Sequence, residues 1–141
     1  MTILVSACLL GCPCRYDGAA KADSRVLALM ERHTLIPVCP EVYGGLPTPR
    51  PPAERQGNRV VTEQGDDVTD QYQNGAQAAV RLAGLTGCKA AVLKKNSPSC
   101  GCGQIYDGTF SCRLIAGDGV TAEALKAHGI TIYGESDVEK L

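Results

Sequence analysis

"AAVLKKNSPSCGCG" occupies residues 90–103. Ala90 to Leu93 is a short apolar run. Lysine, asparagine, serine, proline, glycine and two cysteines come directly after it. A short apolar run closed by a turn signal suits a strand buried on both faces. The same change occurs twice more. Ile3 to Ala7 is an apolar strand that runs into Cys8, and Leu35 to Val38 is one that ends at Cys39 and Pro40. Between these runs the period changes to that of a helix. Val26, Leu27, Leu29 and Met30 fall at near-helical spacing within Ser24 to His33, with Asp23 or Ser24 as the cap. Val68, Tyr72, Ala76, Ala79, Val80 and Ala83 mark one face of a helix of about four turns, with Thr69 as its cap and Gly84 or Gly87 as its stop. Thr121 to His128 is a short helix closed by Gly129, and Ile130 to Tyr133 is a last strand. Strands alternating with helices predict an α/β fold, a mainly parallel sheet flanked by helices.

Two further stretches are less regular. Pro40 to Gly57 contains "GGLPTPRPP" and reads as neither helix nor central strand. Arg59 to Thr62 is a short strand suited to an edge hairpin, and Thr109 to Ile115 is expected to be a strand. No repeat, low-complexity tract or composition shift divides the chain, so residues 1–141 are expected to form a single domain with long Pro/Gly- and Cys-bearing loops.

Hydrophobic residues make up 44% of the 141 residues, enough for a packed core. The net charge of −1 gives no global field toward nucleic acid or membrane. No apolar run nears the ~20 residues of a membrane helix, and Met1 to Gly11 lacks the basic start and cleavage site of a signal peptide. A cytoplasmic location is expected. There the 8 cysteines stay reduced rather than paired. Cys8, Cys12 and Cys14 cluster, as do Cys100 and Cys102, while Cys39, Cys88 and Cys112 stand alone. Clusters joined by long gaps suit metal or cluster ligation.

Ligands of open parallel sheets bind outside the carboxyl ends of the strands. Cys8, Cys39 and Cys100 each come after a different predicted strand, so they are expected to converge on one edge. C-P-C and C-G-C are too tight for zinc knuckles. No ferredoxin C-x₂-C-x₂-C run occurs either. Residue types alone leave an iron–sulfur cluster and zinc both open.

"SACLLG" with "CRYDG", then "CPEVYGGLPTPRPPAE", then "LKKNSPSCG" with "IYDGTFS" together resemble the thiouracil desulfurase family. The resemblance runs from Val5 to about Gly119. It implies a [4Fe–4S] enzyme that removes sulfur from a thiolated pyrimidine without net redox change. Candidate substrates are thiouracil, 4-thiouridine and 4-thio-UMP. The family's recurrent cysteines fall on Cys8, Cys14, Cys39 and Cys100. Three hold the cluster and leave one iron open as a Lewis acid; Cys8, Cys39 and Cys100 are the expected ligands, each in its own loop. Cys14, the fourth matched position, is either a ligand in place of one of these or a structural or catalytic thiol near the site. Cys12 and Cys102 are taken as buried or incidental, and Cys88 and Cys112 as packing residues.

Glu41, two residues past Cys39, is the candidate general base for an attacking water. Ser97 is expected to orient substrate or water, with stabilisation of the turn before Pro98 as the alternative. Arg15, Arg50 and Lys94 offer charge either to an anionic substrate group or to the cluster. The rival classes are a small iron–sulfur electron carrier, which needs four protein ligands, and a zinc-binding module. Action on tRNA is disfavoured because no basic stripe with interleaved aromatics is present.

Overall fold

The computed structural model describes residues 1–141. In chain order, β1 (Thr2–Ser6) leads through a 3₁₀ turn (Ala7–Leu10) and a loop to α1 (Ser24–Leu27). A second 3₁₀ turn (Ala28–Glu31) then enters β2 (Thr34–Val38). A one-turn helix comes next, α2 (Pro40–Tyr43), and then the hairpin of β3 (Ala53–Gln56) and β4 (Arg59–Thr62). The long helix α3 (Thr69–Thr86) leads to β5 (Ala90–Leu93). Beyond it lie the hairpin of β6 (Gln104–Tyr106) and β7 (Leu114–Ala116), α4 (Val120–Ala127), β8 (Thr131–Gly134) and a closing 3₁₀ helix (Glu135–Lys140).

The main sheet has the order β2-β1-β5-β8, with every pair parallel. Successive side chains of a strand point to opposite faces, so a central parallel strand must be apolar on both. β1 and β5 meet that demand. Leu4, Ala91 and Leu93 pack with Val38 against Ala79 and Ala83 of α3 and Ala122 and Leu125 of α4. Ile3, Val5 and Val92 face the other way, against Leu9, Val26, Leu29 and Val138. Pro37 lies in β2, where a missing N–H is tolerated because β2 is an edge strand. No helix is long and apolar enough to cross a membrane.

The strand order makes a crevice. From β1 the chain moves to β2 on one side, and through α3 it returns to β5 on the other. The loops leaving β1 and β5 therefore diverge, and a cleft opens between them at the carboxyl ends. α4 closes the loop after β5 from below. Val120 N–H donates to Pro98 O at 2.9 Å and Thr121 N–H to Ser99 O at 2.8 Å, so the first N–H groups of α4 serve the loop instead of a side-chain cap.

Several expectations are corrected. Helix 24–33 is α-helical only to Leu27 and then tightens to 3₁₀. Thr69 is not a side-chain cap. Its hydroxyl accepts the Val60 N–H at 2.9 Å, and Asp67 accepts the Thr69 N–H. Within Pro40–Gly57 the stretch "GGLPTPRPP" is irregular as expected, while the residues on either side of it are not. Pro40 starts α2, where its fixed φ suits the first helical turn, and β3 finds a partner in β4. Thr109–Ile115 is not one strand: Asp107 folds a turn by accepting the Thr109 N–H at 3.0 Å, and β7 begins only at Leu114.

α2 reaches its place by a backbone contact with α3. A Cβ on Gly75 would overlap the Pro40 carbonyl, and one on Gly44 would overlap the Gln71 carbonyl. The helix interior tolerates Gly75 because this approach needs it. Gly75→Ala is expected to destabilise the protein by about 1–3 kcal/mol through overpacking and to displace Glu41, lowering turnover. Gly84→Ala in the same helix meets open space and is expected to stabilise by ~1 kcal/mol. Thermal denaturation of both variants checks the pair.

Candidate functional site

Cys8 is the second residue past β1, Cys39 the first past β2 and Cys100 the seventh past β5. All three line one cavity of about 420 Å³ at the carboxyl edge, together with Cys14, Glu41, Ser97, Arg15, Arg50 and Lys94. The structure thus brings every predicted site residue to a single crevice.

Glu41 is placed by α2 and held from both sides. Its Oε1 accepts from Arg50 Nε at 3.1 Å, and its Oε2 accepts from the Ser99 hydroxyl at 2.9 Å. The Arg50 side chain is 4% exposed, and a buried guanidinium must find acceptors. Besides Glu41 it donates to Pro47 O at 3.2 Å, Thr48 Oγ1 at 3.0 Å and Cys14 O at 2.9 Å. Arg50 therefore ties the Cys14 loop to α2. The Tyr72 phenol lies toward Glu41 from α3; burial, then the Glu41 charge, raise its proton affinity, so it stays protonated.

Ser97 accepts the N–H groups of Ser99 and Cys100, each at 3.1 Å, and its hydroxyl lies 3.0 Å from that of Ser99. Since Ser99 gives its proton to Glu41, Ser97 gives its own to Ser99. The two hydroxyls form a relay that ends on the carboxylate. Ser97 is thus the turn-forming serine of its loop as well as a cavity residue. Ser99, nearly fully buried, makes the direct contact with Glu41.

Burial, and then the charge of Cys39, push the Cys8 thiol up to about 11. Burial pushes Cys100 up to about 12. Cys14 and Cys39 face each other. The Cys39 thiol donates to the Cys14 carbonyl at 3.7 Å, and the nearness of the two sulfurs lowers the proton affinity of Cys39 and raises that of Cys14. No three His, Cys, Asp or Glu side chains converge closely enough to chelate one ion. The thiols surround a space rather than a point. Soft thiolates around a space, with Arg15 and Lys94 nearby, fit an iron–sulfur cluster better than a single zinc ion.

Two of the three predicted cations carry no free charge. Arg50 is engaged as described. Lys94 Nζ pairs with Glu135 Oε2 at 3.0 Å, while Glu135 Oε1 accepts the Lys95 N–H at 2.8 Å. Arg15 has no carboxylate partner and lies 5.9 Å over the Tyr16 ring. Of the three cations offered to a substrate anion or to the cluster, Arg15 alone has no protein carboxylate; the two more buried ones pair with Glu41 and Glu135.

The sequence profile of the 2-thiouracil desulfurase family matches residues 3–137. The chain belongs to the 2-thiouracil desulfurase family. The uncharacterized protein YbbK of Bacillus subtilis (strain 168) is 41% identical to it, across 99% of both chains. The solved structure of the [4Fe-4S]-dependent thiouracil desulfidase TudS superposes with a TM-score of 0.91 at 49% identity, covering 99% of this chain and 94% of that one. The parallel sheet flanked by helices is shared with TudS.

In this desulfurase-family chain the remaining cysteines divide. Cys88 packs in the core beneath α3, as expected. Cys12 is exposed and outside the cavity, and Cys102 is partly buried beside that same core. Cys112 is corrected: it is exposed and lines the crevice rather than packing. In the sequence Ser99 has a weaker claim than Ser97, Tyr72 figures only on the apolar face of its helix, and Glu135 is not marked at all. Ser99 is adjacent to Cys100, a usable signal. Glu135 lies 40 residues from the lysine backbone it serves and left none.

Arg50→Met removes one partner of a buried ion pair and strands the Cys14 and Pro47 carbonyls. A loss of about 3 kcal/mol is expected. Arg50→Lys should recover only part, because an ammonium cannot reproduce the guanidinium fork. Denaturation midpoints of the two variants check this.

Proposed function

We propose that the protein removes sulfur from a thiouracil, with a [4Fe–4S] cluster held by Cys8, Cys39 and Cys100. The observation that carries this reading is three thiols from three strand-end loops around one cavity, with the Arg50–Glu41–Ser99 network on its wall. An electron carrier has no use for such a network. The likeness to TudS supports the cofactor and the substrate class.

Bound in the crevice, the cluster supplies a Lewis-acidic iron for a soft thiocarbonyl sulfur. The chain's own residues do the rest. Glu41 accepts the proton of the attacking water. Arg50 orients its carboxylate through Oε1, Ser99 fixes Oε2, and Ser97 fixes Ser99. Water supplies the oxygen that replaces sulfur and the protons that leave with it. C=S becomes C=O, sulfur departs as hydrosulfide, and no electrons change hands. Cys14 stays outside the ligand set, with its backbone carbonyl beside the Cys39 sulfur. Eight free thiols fit a reducing cytoplasm.

The substrate is the neutral base in preference to 4-thiouridine or 4-thio-UMP. With Arg50 and Lys94 paired internally and Lys95 Nζ donating to the Ser136 hydroxyl at 3.1 Å, Arg15 is the lining cation left for a phosphate. Neither a nucleic acid nor a membrane is proposed as a partner.

Anaerobic reconstitution should give about four irons per chain. Cys8→Ala, Cys39→Ala and Cys100→Ala should each lose them, while Cys12→Ser keeps them. Stoichiometric zinc without iron would sink the cluster assignment. Glu41→Gln should keep wild-type iron and lose about 10²–10⁴-fold in kcat; a loss under tenfold makes Glu41 structural. Side-by-side turnover, monitored by thione absorbance, should give thiouracil a kcat/KM at least equal to that of 4-thio-UMP. A clear preference for the nucleotide would defeat the neutral-base reading.

A further inference from the structure

Three residues other than glycine hold left-handed backbone: Asn96 (φ 67°), Phe110 (φ 58°) and Cys112 (φ 61°). All three line the crevice. Such backbone is strained for a residue with a Cβ and persists where its surroundings impose it, often at binding sites. For Phe110 the imposing group is Glu54 on β3. One oxygen, Oε1, accepts the Gly108 N–H at 2.9 Å and the Phe110 N–H at 3.2 Å. Gln56 adds a third tie, donating to Gly108 O at 2.9 Å.

Phe110 is the only phenylalanine of the chain, yet it joins none of the three buried apolar clusters. A ring of that size normally contributes to stability by burial in a core. Here it stands half-exposed at the crevice instead. Of the other lining rings, Tyr106 sits in the ordinary extended backbone of β6, without the imposed turn that marks Phe110. Tyr72 is buried beneath Glu41, and Tyr16 lies under the Arg15 guanidinium. A flat heteroaromatic substrate needs an apolar surface against its face, because its edges take the polar contacts.

We infer that the Phe110 ring is the surface on which the substrate's pyrimidine ring stacks, and that Glu54 is the residue that positions it. The inference rests on the thiouracil reading. Glu54 does not touch the reacting atoms; it acts by holding the Asp107–Arg113 loop in the one backbone conformation that turns Phe110 to the crevice.

The test uses anaerobically loaded holoenzyme and two readouts, equilibrium binding of uracil as a non-reacting pyrimidine and steady-state turnover of thiouracil. Phe110→Leu should keep wild-type iron and raise both the uracil Kd and the thiouracil KM about fivefold or more, with kcat little changed. Phe110→Tyr and Phe110→Trp, which retain a ring, should stay within about threefold of wild type. Glu54→Ala should raise KM as Phe110→Leu does. The double variant should add little further, since both changes remove one contact. Glu54→Gln keeps an acceptor oxygen and should rescue. Phe110→Leu within twofold of wild type in both readouts would overturn the inference. So would loss of iron or of fold in Phe110→Leu, which would make the ring a support. If wild-type holoenzyme binds uracil but turns over no thiouracil, the functional reading falls while the Kd comparison still decides the stacking. If it binds neither pyrimidine, the stacking falls too.

Discussion

Because β2, β1 and β5 run parallel, their carboxyl ends open on one edge, and each loop that leaves them crosses that edge before its crossover can begin. The site depends on this. Cys8, Cys39 and Cys100 are separated by 31 and 61 residues, yet each needs only the first few residues past its own strand to reach the crevice. The change of direction between β1 and β5 opens the cleft, and an antiparallel arrangement would have sent one loop to the far end of the sheet.

Once the loops meet, their polar groups set the next constraint. A long loop over a cavity leaves N–H and C=O groups without a ladder. Here α4 donates its first N–H groups to the Pro98 and Ser99 carbonyls, Ser97 collects the N–H groups of Ser99 and Cys100, and Arg50 takes up the Pro47 carbonyl of its own loop and the Cys14 carbonyl of another. The result is a wall whose Glu41 carboxylate is oriented by residues that also hold the loops together. Structure and chemistry share the same hydrogen bonds, so substitutions at Arg50 or Ser97 disturb both.

The cations illustrate how burial redirects charge. From the motif alone, Arg15, Arg50 and Lys94 look equivalent. Arg50 is the most buried and is fully engaged by acceptors; Lys94, at 23% side-chain exposure, takes Glu135; Arg15 alone faces the cavity without a carboxylate. The more deeply a charge is placed, the more the protein must neutralise it internally, and the less of it remains for a substrate.

Much was legible in the residues themselves. The apolar runs at Ile3–Val5 and Ala90–Leu93, each ending in cysteine loops, identify central parallel strands, because only double burial asks for such runs. The helical period from Val68 to Ala83 identifies α3. The family motifs, being local and long, mark Cys8, Cys39, Glu41 and Cys100. Tertiary structure decided what depends on partners distant in the chain. That Ser99 rather than Ser97 touches Glu41, that Glu135 neutralises Lys94, that Cys112 and Phe110 turn to the crevice, and that Gly75 admits α2 are all contacts across about 40 to 60 residues of chain or consequences of backbone geometry. Periodicity and spacing report which side of a strand or helix a residue occupies. They carry no information about which loop will lie opposite it, because loop–loop contacts arise from the packing of the whole sheet.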